Sequence, residues 1–189
     1  VAVTDLVSSP HDANTLYAAA DRGLYRSNNA GASWQWLSAV DYASGVAVDP
    51  NEPSHLLLGS FYGLYESTDG GATFTPTWLP ASIEAVRYAG ATGLAGTRGA
   101  GVYRSRAVGA WEPSNEGMDA AVALAVWVDP EEPGRIIAGT EPGLWLSSDG
   151  GGSWTAIGGS LESTTVVSLR ADPASPNVVW ANTGGALWV

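Results

Sequence analysis

The sequence predicts an all-β fold, a β-propeller of four-stranded antiparallel blades, and three observations predict it. An octet recurs along the chain: SNNAGASW at 27–34, STDGGATF at 67–74 and SSDGGGSW at 147–154, with a shortened copy, SRAVGAW, at 105–111. The leading serines, Ser27, Ser67, Ser105 and Ser147, are spaced 40, 38 and 42 residues apart. A triplet keeps the same beat: GLY at 23–25, GLY at 63–65, GVY at 101–103, GLW at 143–145 and ALW at 186–188. A proline closes β-rich runs, in SSP at 8–10 and DP at 49–50, 129–130 and 172–173. Three markers in one phase, about 40 residues apart, match the roughly 40–45 residues of a four-stranded propeller blade. The repeats run 1–41, 42–80, 81–119, 120–161 and 162–189, and the fifth ends before its own octet, so it is incomplete.

Each element of a repeat has its own justification. The first strand is a β-rich run closed by proline, as in GVAVDP (45–50) and VALAVWVDP (122–130). HLLLGS (55–60) and RIIAGT (135–140) follow as second strands. GLYES (63–67) and GLWLS (143–147) alternate large apolar with small or polar residues, the period of a third strand. The fourth strand is ATFTPTW (72–78) or SWTAIG (153–158). No segment has helical periodicity. The octet therefore joins the third strand to the fourth and must close a hairpin.

Composition narrows the function classes. The 189 residues carry a net charge of −11, and all eight basic residues are arginine. Without a basic footprint the chain has no surface for nucleic acid or an anionic membrane, and no apolar run approaches the ~18 residues of a span. Cysteine is absent, which removes disulfides, thiol catalysis and cysteine metal sites. The chain starts at Val1 without a methionine, as expected of a mature or trimmed product, and an extracellular or periplasmic location is expected.

The pattern Ser-x-Asp-x-Gly-x-Ser/Thr-Trp/Phe resembles the Asp-box, or bacterial-neuraminidase repeat. The octets at 67–74 and 147–154 match closely; the first has Asn29 in place of the acid, and the third fails. The resemblance covers almost the whole chain through the blade pattern. It implies the propeller fold shared by sialidases, xyloglucanase-type glycoside hydrolases, sortilin-like receptors and photosystem II assembly factors, which do not share a function.

The octet residues read as structural. Ser27, Asn29, Gly31 and Trp34 form the first set; Ser67, Asp69, Gly71 and Phe74 the second; Ser147, Asp149, Gly151 and Trp154 the third. The acids accept backbone N–H groups within the turn, the glycines take angles that side chains forbid, and Trp34, Phe74 and Trp154 are expected to turn inward. A buried Trp covers ~150–250 Å², worth roughly 4–6 kcal/mol as an upper bound. One carboxylate per octet is too few for an EF-hand, and a phosphate loop needs a lysine and a following helix. No metal site and no cofactor are expected. His11 and His55 belong to different blades and read as turn or strand-edge residues.

Propeller geometry puts the octets and the loops between first and second strands on one face. The loops between second and third strands share the other face with the blade-to-blade connections. That second face is the expected binding face, with Asp21, Arg22, Asp41, Tyr42, Phe61, Tyr62, Arg98, Glu116, Asp119 and Glu141. Aromatics beside acids suit sugar stacking, and Tyr, Phe and Arg suit protein hot spots. The leading expectation is a non-catalytic binding or assembly module for a protein or glycan partner. An acidic chain favours basic patches on that partner.

Two enzyme readings stand beside it. A sialidase needs an arginine cluster on the binding face, where only Arg22 and Arg98 fall. The resemblance to xyloglucanases implies a catalytic aspartate after the first blade, and Asp41 holds a similar place; in that family the second carboxylate comes from a second propeller. The unfinished fifth repeat adds a structural reading. The chain is expected to be part of a larger propeller, with strands from another chain, self-association through the open edge, or five-bladed closure as alternatives.

Overall fold

The structure is a computed structural model that describes residues 1–79, 81–172 and 174–189; Pro80 in the loop at 79–82 and Pro173 in the Asp-Pro pair at 172–173 lie outside the described residues. Alternation and turn chemistry produce antiparallel meanders. β1 (Val3–Ser8), β2 (Leu16–Ala20), β3 (Gly23–Ser27) and β4 (Gln35–Ser38) pair in sequence order. β5 (Ala43–Val48), β6 (Leu56–Ser60), β7 (Gly63–Ser67) and β8 (Thr75–Pro76) do the same. The third blade is β9 (Ser82–Ala89), β10 (Thr92–Arg98), β11 (Val102–Ser105) and β12 (Trp111–Pro113). The fourth is β13 (Val122–Val128), β14 (Ile136–Glu141), β15 (Leu144–Ser147) and β16 (Thr155–Ile157). One pairing, Arg98 with Val122, stitches these two blades into a continuous sheet. A 3-10 turn at Gly159–Leu161 leads to the last sheet, β17 (Ser168–Asp172), β18 (Ser175–Asn182) and β19 (Leu187–Trp188), which has three strands. The chain is an all-β propeller whose last blade is incomplete.

The hydrophobic core is a series of layers between blades. Leu24, Val46, Leu56 and Leu58 fill the first junction, and Leu57, Leu64, Ile83 and Val86 the second. Leu94, Val126, Ile136 and Trp154 fill the third; Ile137, Leu161, Val166 and Leu169 fill the fourth. Each blade thus buries its apolar surface only against its neighbours, as in stacked repeats. The innermost strands β1, β5, β9, β13 and β17 pack in that order. Hydroxyls lock the first two steps: Thr4 Oγ1 donates to the Ala43 carbonyl at 2.6 Å, and Ser44 Oγ to that of Ile83 at 2.5 Å. The second strands of the middle three blades, β6, β10 and β14, carry a glycine where the next inner strand crosses. A Cβ on Gly59 would stand 2.6 Å from Ile83 Cγ2, on Gly96 2.7 Å from the Ala123 oxygen, and on Gly139 2.8 Å from Val166 Cγ1.

The octets are closed hydrogen-bonded turns. Ser147 Oγ donates to Asp149 Oδ1 at 2.8 Å and accepts from Gly151 N at 2.9 Å, while Asp149 Oδ1 accepts from Ser153 N at 2.9 Å. Ser67, Asp69, Gly71 and Thr73 repeat this set. Asn29 reproduces the acceptor bonds with its amide oxygen, to Ser27 Oγ at 2.9 Å and Ser33 N at 2.8 Å. These bonds favour the ionised acid: Asp69 and Asp149 are both lowered to about 2, Asp69 first by the Thr73 side chain and Asp149 first by the Ser153 backbone N–H.

The inward turn of the octet aromatic holds for Trp154 and for Phe74, but not for Trp34. Trp154 is 4% exposed, with its indole N–H on the Ser114 carbonyl at 2.7 Å. Phe74 packs into the layer between the first two blades. Both therefore bury themselves on the preceding blade. Trp34 belongs to the first blade and stands 41% exposed beside Val1, Val3, Leu6, Ala18 and Tyr25. The opposite end of the row exposes Trp180, Leu187 and Trp188.

Candidate functional site

Two sets of loops meet on one face. The Tyr42 N–H donates to the Asp21 carbonyl at 2.9 Å, and the Phe61 N–H to the Tyr42 carbonyl at 3.1 Å, so the connection after the first blade lies between the hairpin loops of the first two. Gly99 N on the Ala121 carbonyl and Gly143 N on that of Thr164 repeat this arrangement further round. On the other face each of the three full-length octets is tied to a loop between first and second strands: Ala30 N to Asn14 O, Gly70 N to Ser54 O and Gly150 N to Gly134 O.

The first sector of the loop face gathers Asp21, Asp41, Tyr42, Phe61 and Tyr62. The Tyr42 and Tyr62 rings meet edge to face at 5.9 Å, and Phe61 meets Tyr62 at 5.5 Å. All three rings are at least 60% exposed. Tyr42 also has φ of +53°, a left-handed conformation uncommon for an aromatic residue. Its N–H and C=O are both used by neighbouring loops, and the Asp41 carbonyl accepts from Ser60 Oγ at 2.8 Å, so the strained backbone is held from both sides. Asp21 Oδ1 accepts from Ala2 N at 3.1 Å, and the Arg22 carbonyl from the Trp36 indole at 3.2 Å.

Arg98 stands in a separate sector. It forks onto Glu84 at 2.8 and 3.2 Å, which strengthens its cationic form, first by hydrogen bond and then by charge, with a further contribution from Glu141. Asp119, in the connection that follows the third blade, is exposed. Glu116, grouped with the face by sequence, instead gives its carbonyl to Trp154 N at the third junction. The structure thus divides the predicted residues into an aromatic–acidic group and a paired Arg98 group.

Two polar constellations were not legible as sites. The central channel is lined by Asp5, Arg87 and Arg170, with Arg87 Nη1 3.5 Å from Asp5 Oδ2. The available signal was position, since Arg87 and Arg170 fall on innermost strands. The two histidines converge on one residue: His11 Nε2 lies 2.8 Å from the Asp49 carbonyl and His55 Nδ1 3.2 Å from its carboxylate. Asp129 and Arg135 hold the matching turn in the fourth blade at 3.1 Å, so the Asp49–His55 contact is a turn clamp. Among the described residues no group of three or more His, Asp or Glu could hold a metal ion, and no helix is long and apolar enough to cross a membrane.

No family model matches the chain, and no curated protein matches it. Solved structures match its fold. The GH74 enzyme of Niastella koreensis does so with a TM-score of 0.77 at 22% identity, over 96% of this chain and 35% of that one. The GH74 xyloglucanase from Xanthomonas campestris gives 0.74 at 21% identity, over 98% and 37%. YCF48 bound to D1 peptide gives 0.69 at 17% identity, over 98% and 62%. The chain is a β-propeller by fold and spans less than two thirds of each of these proteins.

Proposed function

We propose that the chain is a non-catalytic binding module that presents the Tyr42–Phe61–Tyr62 sector to a protein or glycan partner. The observation that carries this reading is the exposed aromatic trio, held by a strained and doubly bonded Tyr42 backbone. Rigid exposed aromatics lose little conformational entropy on binding and form hot spots. YCF48 with its bound peptide supports such a use of the fold. We also read the octets as Asp boxes, on their hydrogen bonding.

The second reading is a glycoside hydrolase with Asp41 as a catalytic carboxylate, favoured by the fold likeness to GH74 enzymes. Inverting hydrolysis needs two carboxyl groups about 6.5–9.5 Å apart, and the resemblance to xyloglucanases implies that the partner of Asp41 would come from a second propeller. A glycan-hydrolysis screen separates the readings. Cleavage by the wild type that is lost in Asp41→Ala overturns the binding module. A stoichiometric partner released by Tyr62→Ala supports it. Self-association through the apolar end surfaces predicts a concentration-dependent mass in sedimentation.

A further inference from the structure

We propose that the flank between the second and third blades is a binding cleft for a neutral oligosaccharide, separate from the aromatic sector above. It arises where the repeat departs from its own rule. After β12, Ser114 N donates to the Val102 carbonyl at 2.9 Å; after β8, Thr77 N donates to the Leu64 carbonyl at 2.8 Å, in the same register. Ser114 and Thr77 are therefore equivalent. Ser114 is 2% exposed, sealed by the octet of the next blade: its carbonyl accepts the Trp154 indole N–H and its hydroxyl donates to the Gly151 carbonyl.

The next octet along from Thr77 is SRAVGAW, one residue short and without the acid. Its indole, Trp111, turns to Glu66 instead, donating to Oε1 at 2.5 Å, and Gly109 N donates to Oε2 at 2.7 Å. The segment after β8 is left uncovered. The result is a cleft of about 420 Å³ lined by Thr75, Thr77, Trp78, Val108 and Trp111 among others. Trp78 is 98% exposed, the most exposed large apolar side chain among the described residues.

The chemistry of the walls selects the ligand. The volume lies within the roughly 300–1,000 Å³ of small-molecule sites. No arginine lines the cleft, so a phosphate or carboxylate would find no counter-charge. Glu66 is 6% exposed, and each of its oxygens accepts an N–H, so it forms a back wall held in place by Gly109 and Trp111. What remains for a ligand is a flat indole face beside the Thr75 hydroxyl, while the Thr77 and Thr73 hydroxyls donate to the Leu64 carbonyl and the Asp69 carboxylate and keep only acceptor capacity. A pyranose matches both, with an apolar C–H face for the ring and hydroxyls for the rim.

The test is affinity electrophoresis of the whole chain through gels containing hydroxyethyl cellulose, galactomannan, xyloglucan or, as the charged control, polygalacturonate. At least one neutral polymer should retard the wild type. Trp78→Ala should weaken that retardation about tenfold or more with an unchanged thermal midpoint, since this side chain is solvent-exposed. Thr75→Val should weaken it less, and Tyr62→Ala should leave it intact, which separates this cleft from the loop face. The proposal is overturned if no neutral polymer retards the wild type, if Trp78→Ala binds as the wild type does, or if polygalacturonate alone is bound.

Discussion

Trp154 and Trp34 occupy the same octet position and differ in what lies beside them. Trp154 fills a junction and donates a buried hydrogen bond; Trp34 faces outward at the start of the row. Trp154→Ala should therefore cost about 3–5 kcal/mol in denaturant unfolding, and Trp34→Ala less than about 1 kcal/mol. The octet acids make a second prediction. Asp149 is lowered to about 2 by the N–H and O–H groups around it, below the roughly 3.9 of an unfolded aspartate. A depressed carboxylate stabilises above its unfolded pKa and loses that contribution as pH falls through the folded one. Asn29 shows that an amide oxygen makes the same acceptor bonds. Asp149→Asn should fold at pH 7 and lose less stability than the wild type between pH 5 and 2, as read from unfolding midpoints. The effect should be modest, because the group is exposed.

At the scale of elements, β6, β10 and β14 set the spacing to the next blade through Gly59, Gly96 and Gly139. A Cβ on Gly96 meets a backbone oxygen, which cannot rotate away, whereas one on Gly185 meets nothing within 4 Å. Gly96→Ala should cost about 1–3 kcal/mol and Gly185→Ala close to nothing, by the same unfolding measurement. Strands and turns were legible in the sequence because alternation, glycine and proline are local signals. The division of loops between the two faces followed from strand order, and it brought Asp21, Asp41, Tyr42, Phe61 and Tyr62 into one sector. The outward Trp34, the arrival of His11 and His55 at Asp49 and the rotation of Trp111 onto Glu66 depend on the neighbouring blade, and no local pattern encodes a neighbour. The shortened octet was visible as a defect in the repeat. Its consequence, a cleft with Trp78 on its wall, required the register between blades.

For the whole molecule, layered packing makes stability a property of position in the row. Interior blades are covered on both sides: Leu56, Leu58, Leu64, Ile136 and Ala138 are fully buried. The last sheet is covered on one side and ends in exposed Leu187 and Trp188. Amide exchange should follow this order, slowest in β6 and β14 and fastest in β18 and β19. Equal protection along the chain would show that the blades unfold as one unit. The Arg98–Val122 stitch should make the third and fourth blades exchange together. The shortened third octet carries a different kind of consequence. One residue lost from a surface turn leaves the buried layers of both adjoining blades in place, yet it uncovers a new concavity. Because each blade packs only against its neighbours, a change in the length of one surface turn can alter the surface at that junction without touching the other layers. The length of that turn then acts as the shutter of the recess, and restoring the missing residue to SRAVGAW should close it again.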